Sequence, residues 1–140
     1  QLSTDVDCFL GTNGTAAAVV SGPNAPFTIT WSDGTTGSVA NGGTTSISGL
    51  TAGTYNLEVV DDKLCVINQT YTLTEPDIIV INTVSKNDIL CFGDATGAIE
   101  INIVGGTPTE VSPGIFEYSY SWTGPNGFTS NAQNISNLFA

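Results

Sequence analysis

The chain has 140 residues, with 13 Asp and Glu against 2 Lys and Arg, no His, and a formal net charge of -11. Lys63 and Lys86 cannot neutralise the several phosphates that a nucleic acid presents, so DNA and RNA are excluded as partners and anionic lipid is disfavoured. Without His the usual general base, the Ser and Cys triads and most zinc sites are gone, which leaves a carboxylate pair of the glycosidase kind as the remaining enzymatic route.

Hydrophobic residues make up 40% of the chain and charged ones 11%, enough apolar material for a core and too little charge for a disordered tail. No run of about 20 apolar residues and no basic segment leading into an apolar one is present. The expectation is therefore a soluble chain without membrane insertion, whose export signal lies outside the window.

Gly, Thr, Ser and Asn recur every few residues and break the chain into segments too short for an apolar helical stripe. From the N-terminus, residues 1–4 read as the stub of a strand and 15–21 as the next. Phe27, Ile29 and Trp31 then share one parity against Thr28, Thr30 and Ser32, the mark of a strand with one dry and one wet face. Residues 44–48, 54–60, 69–74, 78–84 and 98–104 follow as strands, 107–115 as a Pro- and Gly-bearing loop, and 116–122 as a second aromatic strand with Phe116, Tyr118, Tyr120 and Trp122 on its dry face. Turn signals about 10 residues apart predict an all-β sandwich.

The chain also repeats itself. Cys91 stands 83 positions after Cys8, and Gly97 stands 83 after Gly14. The aromatic strand ending in Trp31 returns at Trp122, 91 positions on, and Ile47-Ser48-Gly49-Leu50 returns as Ile135-Ser136-Asn137-Leu138, 88 positions on. Matched strands separated by unequal loops predict two tandem copies, 1–76 and 77–140, joined at Thr74-Glu75-Pro76-Asp77 by a short, semi-rigid linker. The second copy stops before any counterpart of 53–76, so the 140 residues read as a window on a longer array. Copy two has Gly105-Gly106 where copy one has Ser21-Gly22, which predicts differently shaped loops there.

These residues resemble a known family. Cys8, Gly11 and Gly14, the strand ending at Trp31, the run Leu50-x-Ala52-Gly53-x-Tyr55-x-Leu57-x-Val59-x-Asp61, then Cys65 and Tyr71-x-Leu73-x-x-Pro76, are similar to the SprB repeat. Copy two carries Cys91, Gly93, Gly97, Trp122 and Leu138 in the same order. The resemblance implies tandem immunoglobulin-like antiparallel β-sandwiches from large cell-surface and gliding motility adhesins of Bacteroidetes, carried out by type IX secretion. It further implies a non-enzymatic, extracellular role in spacing or attachment, with neighbouring repeats, a substratum or a surface polysaccharide as partners.

Within that frame Trp31, Leu50, Gly53, Tyr55, Trp122 and Leu138 are read as structural core. Leu50 and Tyr55 flank a tight turn at Ala52-Gly53, and the Tyr55 hydroxyl is placed to reach a nearby backbone group, as in the tyrosine corner of sandwich folds. Cys8 and Cys65 fall in one copy and can pair, closing a loop worth about 4 kcal/mol, with Cys91 left to a cysteine beyond the window; two buried free thiols are the alternative. The acids Asp5, Asp7, Asp61, Asp62, Glu75 and Asp77 sit in small groups, one of them at the junction. They offer hard oxygens to calcium, the one cofactor considered, or else serve as solvated turn residues. The Thr-x-Thr pairs and the sequons at Asn13, Asn68 and Asn134 read as wet-face strand residues and incidental matches. Two rival functions remain. One is a carbohydrate-binding module using Phe9, Phe92, Phe116 and Phe128, and the other a surface filament subunit completed by a strand from another chain.

Overall fold

The computed structural model of the chain describes residues 2–139; Gln1, the first residue of the strand stub expected at 1–4, and Ala140, the end of the second copy, lie outside the described residues. The chain divides after Pro76 into two compact units, and no α-helix occurs among the described residues.

Unit 1 contains β1 (Leu2–Thr4), β2 (Gly14–Val20), β3 (Phe27–Trp31), β4 (Thr36–Val39), β5 (Gly43–Leu50), β6 (Gly53–Val60) and β7 (Val66–Leu73). They form a three-stranded sheet, β1-β2-β5, and a four-stranded sheet, β4-β3-β6-β7, with every pairing antiparallel. The arrangement is an immunoglobulin-like sandwich. Alternation decides which face each strand buries. In β3 Phe27, Ile29 and Trp31 are buried, while Thr28 and Thr30 are exposed. The strand is held on one side by β4, from Phe27↔Val39 to Thr30↔Thr36, and on the other by β6, from Thr28↔Val60 to Trp31↔Leu57.

The core sets Ala16, Val20, Ile47 and Leu50 of the first sheet against Phe27, Ile29, Trp31, Leu57, Val59, Tyr71 and Leu73 of the second. Each fully buried aliphatic side chain contributes about 1.5–3 kcal/mol relative to exposure. Trp31 is 1% exposed. Its indole N–H donates to Thr45 Oγ1 on β5 at 2.9 Å, and its ring meets that of Tyr71 at 5.4 Å between centroids. The buried ring therefore leaves no unpaired donor, the condition for placing Trp at the centre of a core. Past β1 the chain crosses to the second sheet: Val6 N–H donates to Thr74 O at 2.9 Å, and Thr74 N–H donates to Asp5 Oδ1 at 2.8 Å.

Unit 2 contains β8 (Val80–Asn87), β9 (Gly97–Val104), β10 (Thr109–Ser112), β11 (Ile115–Glu117), β12 (Trp122–Thr123), β13 (Thr129–Ser130) and β14 (Ile135–Leu138). Its three-stranded sheet, β14-β9-β8, repeats the register of unit 1. Gly97 faces Leu138 and Ile99 faces Ile135, as Gly14 faces Leu50 and Ala16 faces Ile47. Asn87 faces Ala98 as Thr4 faces Thr15.

Two expectations need correction. Residues 107–115 are not a plain loop, because β10 and β11 form a hairpin across Pro113-Gly114. Residues 116–122 are not one continuous strand either: Phe116 pairs with Glu110 and is 58% exposed, and Trp122 opens only the two-residue ladder β12–β13. The physical reason is pairing. β3 keeps its pleat because β6 zips along it, and no described strand of unit 2 takes the place of β6, so Tyr118 to Ser121 have no ladder to join.

The two loops expected to differ do so. Gly105 and Gly106 have φ of 74° and 68°, and a Cβ on Gly105 would lie 2.0 Å from the carbonyl oxygen of Ile78. Only glycine lets the chain pass there, and Gly106 N–H then donates to Asp77 O at 2.7 Å. In unit 1 Gly22 N–H instead donates to Asn41 Oδ1.

Candidate functional site

Unit 1 presents a loop cluster at each end of its sandwich, and the acids divide between them. At one end Asp5 accepts from Thr74 N–H, Asp7 accepts from the Asn13 amide, and Glu75 Oε2 accepts from Leu10 N–H at 2.8 Å. At the other, Asp61 Oδ1 accepts from Lys63 N–H and Cys65 N–H, both at 2.8 Å, while Asp61 Oδ2 accepts from the Asn24 amide at 2.9 Å. These bonds, that from Asn24 foremost, hold the Asp61 carboxyl below the usual aspartate range. Asp62 forms an exposed ion pair with Lys63 at 3.8 Å, and Asp77 belongs to unit 2, where its carbonyl takes Gly106 N–H. The six acids do not converge. Among the described residues no three metal-ligating side chains come together. Asp61 is an Asx-type anchor of its own loop, while Asp5 and Glu75 hold the backbone of Thr74 and Leu10, far away in sequence.

The expected Cys8–Cys65 bridge is overturned. All three cysteines are free and exposed. Cys8 lies between Val6 and Leu10, which bond to Thr74 and Glu75 just past the end of β7, whereas Cys65 directly precedes its start. An eight-residue strand at about 3.4 Å per residue separates the two by roughly 25 Å. A disulfide tolerates Cα atoms no more than about 7 Å apart. Placing both cysteines in one copy said nothing about which end of the sandwich each would occupy.

Of the residues read as core, Trp31 and Leu50 are buried, Tyr55 is half-buried, and Gly53 is exposed with φ 153° at the turn into β6. The Tyr55 hydroxyl donates to Thr51 O at 3.1 Å, which ties the start of β6 back to the turn before it. Trp122 and Leu138 are only half-buried. Trp122 donates its indole N–H to Ala132 O at 2.8 Å. Sequence reasoning missed Asn13 and Asn24, whose amides organise the two loop ends. The Asn-Gly step at Asn13 was the signal available for the first, and nothing local marks the second.

Unit 2 has an open apolar groove of about 800 Å³, with Ile89, Gly97, Ile99, Trp122, Ile135 and Leu138 among its lining residues. The aromatics considered for carbohydrate binding lie on separate segments. Phe9 sits between β1 and β2, Phe92 between β8 and β9 with complete exposure, Phe116 on β11, and Phe128 just before β13.

The two sheets with the same register are also where the chain matches a known family model, the SprB repeat, over residues 2–36 and 83–109. Both segments are similar to the SprB repeat. Both matched segments include the Cys-to-Gly loop and the strand after it, β2 in one and β9 in the other, together with the pairings Thr4↔Thr15 and Asn87↔Ala98, while β5 and β14 lie outside the match. No curated protein and no solved structure matches the chain. The SprB repeat is a structural repeat of surface adhesins, and no helix among the described residues is long and apolar enough to cross a membrane.

Proposed function

We propose that these SprB repeats are non-enzymatic spacing modules of a large extracellular adhesin on a bacterial surface, serving attachment or gliding by holding other parts of the protein away from the cell. The observation that carries this reading is the recurrence of one sheet register in two successive units, Gly14↔Leu50 and Gly97↔Leu138, joined within a few residues of Pro76. An array of one repeated unit sets distance by its number of copies. The acidic excess supports the same reading, because like charge keeps repeats dispersed and soluble.

The test is retention. Beads bearing the chain are presented to glass, to hydrophobic plastic and to a glycan array. A spacer shows no saturable retention on any of them. Saturable binding to one glycan class, lost on changing Phe92 to Ser, would overturn the spacer reading in favour of a carbohydrate-binding module.

A further inference from the structure

We propose that Asp5, Val6 and Leu10 on one side and Thr74 and Glu75 on the other form a mechanical latch that sets the load at which unit 1 opens. The latch goes beyond the spacing role, on which only its use rests, because the response of one unit to tension follows from its own bonds. Any load carried through unit 1 enters ahead of β1 and leaves past Pro76. β1 and β7 both run towards the end of the sandwich where residues 5–10 meet Thr74 and Glu75, so tension draws the two segments past each other in opposite directions along the strands. Three hydrogen bonds cross that line. Val6 N–H donates to Thr74 O at 2.9 Å, Thr74 N–H to Asp5 Oδ1 at 2.8 Å, and Leu10 N–H to Glu75 Oε2 at 2.8 Å. Bonds strained along a common sliding line bear the load together, whereas bonds at a peeling end break one after another.

The surroundings strengthen the joint. Val6 and Leu73 are both buried and pack over Gly14, where an added Cβ would lie 3.2 Å from Val6 Cγ2 and 2.5 Å from Leu73 Cδ2. The backbone bond from Val6 to Thr74 therefore runs beside an apolar seam, and sliding the segments apart exposes that seam to water. The other two bonds end on carboxylates, and charge-assisted hydrogen bonds are roughly twice as strong as neutral ones. The loop that carries Leu10 is drawn closed on itself: Asp7 N–H donates to Asn13 Oδ1 at 3.1 Å, the Asn13 amide donates back to Asp7, and Gly11 N–H donates to Cys8 O at 2.8 Å. With little slack in that loop, the bond at Leu10 takes up load together with those at Asp5 and Val6. The carboxylate bonds of Asp61 lie off this line, at the opposite end of the sandwich, within the β6–β7 turn and to Asn24. Forced unfolding is governed by the unfolding rate, so bonds that must break at the barrier count for more than bonds of equal strength elsewhere.

The experiment holds the full chain by its two ends at constant load and records the time until unit 1 opens, recognised as the longer of the two extensions because unit 1 is the longer unit. Asp5→Ala combined with Glu75→Ala shortens that lifetime roughly tenfold or more, as expected of two lost bonds to charged groups, and by a larger factor than it raises the unfolding rate without load. Asp5→Asn combined with Glu75→Gln keeps an accepting oxygen at each position and restores most of the lifetime. Asp61→Ala changes the loaded and unloaded rates by the same factor. Should the alanine pair fail to fold, the single changes Asp5→Ala and Glu75→Ala carry the same comparison. Two results would overturn the latch. One is an alanine pair that shortens the loaded lifetime no more than the unloaded one. The other is a wild-type record in which a first step of about 35 Å, the length of residues 1–10 freed alone, precedes a much later main opening. Neither result bears on surface retention, so the latch and the spacing role fail separately.

Discussion

Leu73 and Gly14 test the packing of unit 1 as a pair. Leu73 is 2% exposed and comes from the last strand of one sheet, while Gly14 opens the second strand of the other. Leu73→Ala removes a fully buried side chain and leaves a cavity, at a cost of about 3 kcal/mol within the usual range for such changes. Gly14→Ala alone places a methyl 2.5 Å from Leu73 Cδ2, an overlap that costs roughly 1–3 kcal/mol against an unfolded-state gain of about 0.4–1 kcal/mol. Together the two changes are complementary, because the new methyl enters the space that Cδ2 vacates. The remaining neighbours, Leu50 O at 3.0 Å and Val6 Cγ2 at 3.2 Å, require shifts of only a few tenths of an ångström. The double variant is therefore expected to be no less stable than Leu73→Ala alone, with a favourable coupling of about 1–2 kcal/mol. Urea unfolding followed by Trp31 emission, in a Trp122→Phe background, measures the cycle. In a domain of this size about 3 kcal/mol corresponds to a fall in midpoint temperature of roughly 12–24 °C. Costs that simply add, to within about 0.5 kcal/mol, would refute the claim that Gly14 and Leu73 share one volume.

Three further outcomes are expected. Tyr55→Phe removes the bond to Thr51 O and lowers unit 1 stability by about 1 kcal/mol, read as a fall of roughly 4–8 °C in its thermal midpoint; an unchanged midpoint would show that the corner carries no net stability. Asp61 is held below the usual carboxylate range, so its contribution is present above the ordinary value of about 3.9 and is lost as pH falls through its lower folded value. The stability gap between the wild type and Asp61→Asn should accordingly close on acidification, and a gap independent of pH between about 5 and 2 would contradict this. Native protein treated with a thiol-reactive maleimide should gain three adducts without reductant, one at each free cysteine, and a gain of one would restore a bridge.

What was legible in the sequence was whatever alternation and recurrence could carry. Phe27, Ile29 and Trp31 declare a buried face through their parity, and the spacing between Gly14 and Gly97 declares two copies, because both signals are local or repeated. β4 was not legible: Thr-Gly-Ser-Val has no apolar alternation and becomes a strand only because β3 offers it an edge. The segment 116–122 failed for the converse reason. Its alternation is clear, yet a strand needs a neighbour, and the parity of Phe116 and Tyr118 does not say whether one exists. Cys8 and Cys65 show the same limit at long range. Membership in one copy is a statement about sequence, and a bridge is a statement about which ends of the strands meet.

The separation of those two cysteines bears on how unit 1 behaves under tension. With no covalent bond between one part of its chain and another, a unit pulled from its two termini yields by breaking only hydrogen bonds and apolar contacts, all of which re-form when the load is removed. Its 76 residues can then extend to on the order of 250 Å, several times the folded dimension, where a bridge between positions 8 and 65 would have withheld most of that length. A string of such units is a recoverable length reserve, and a sudden pull on it is met first by extension and only afterwards by force on whatever it is tied to.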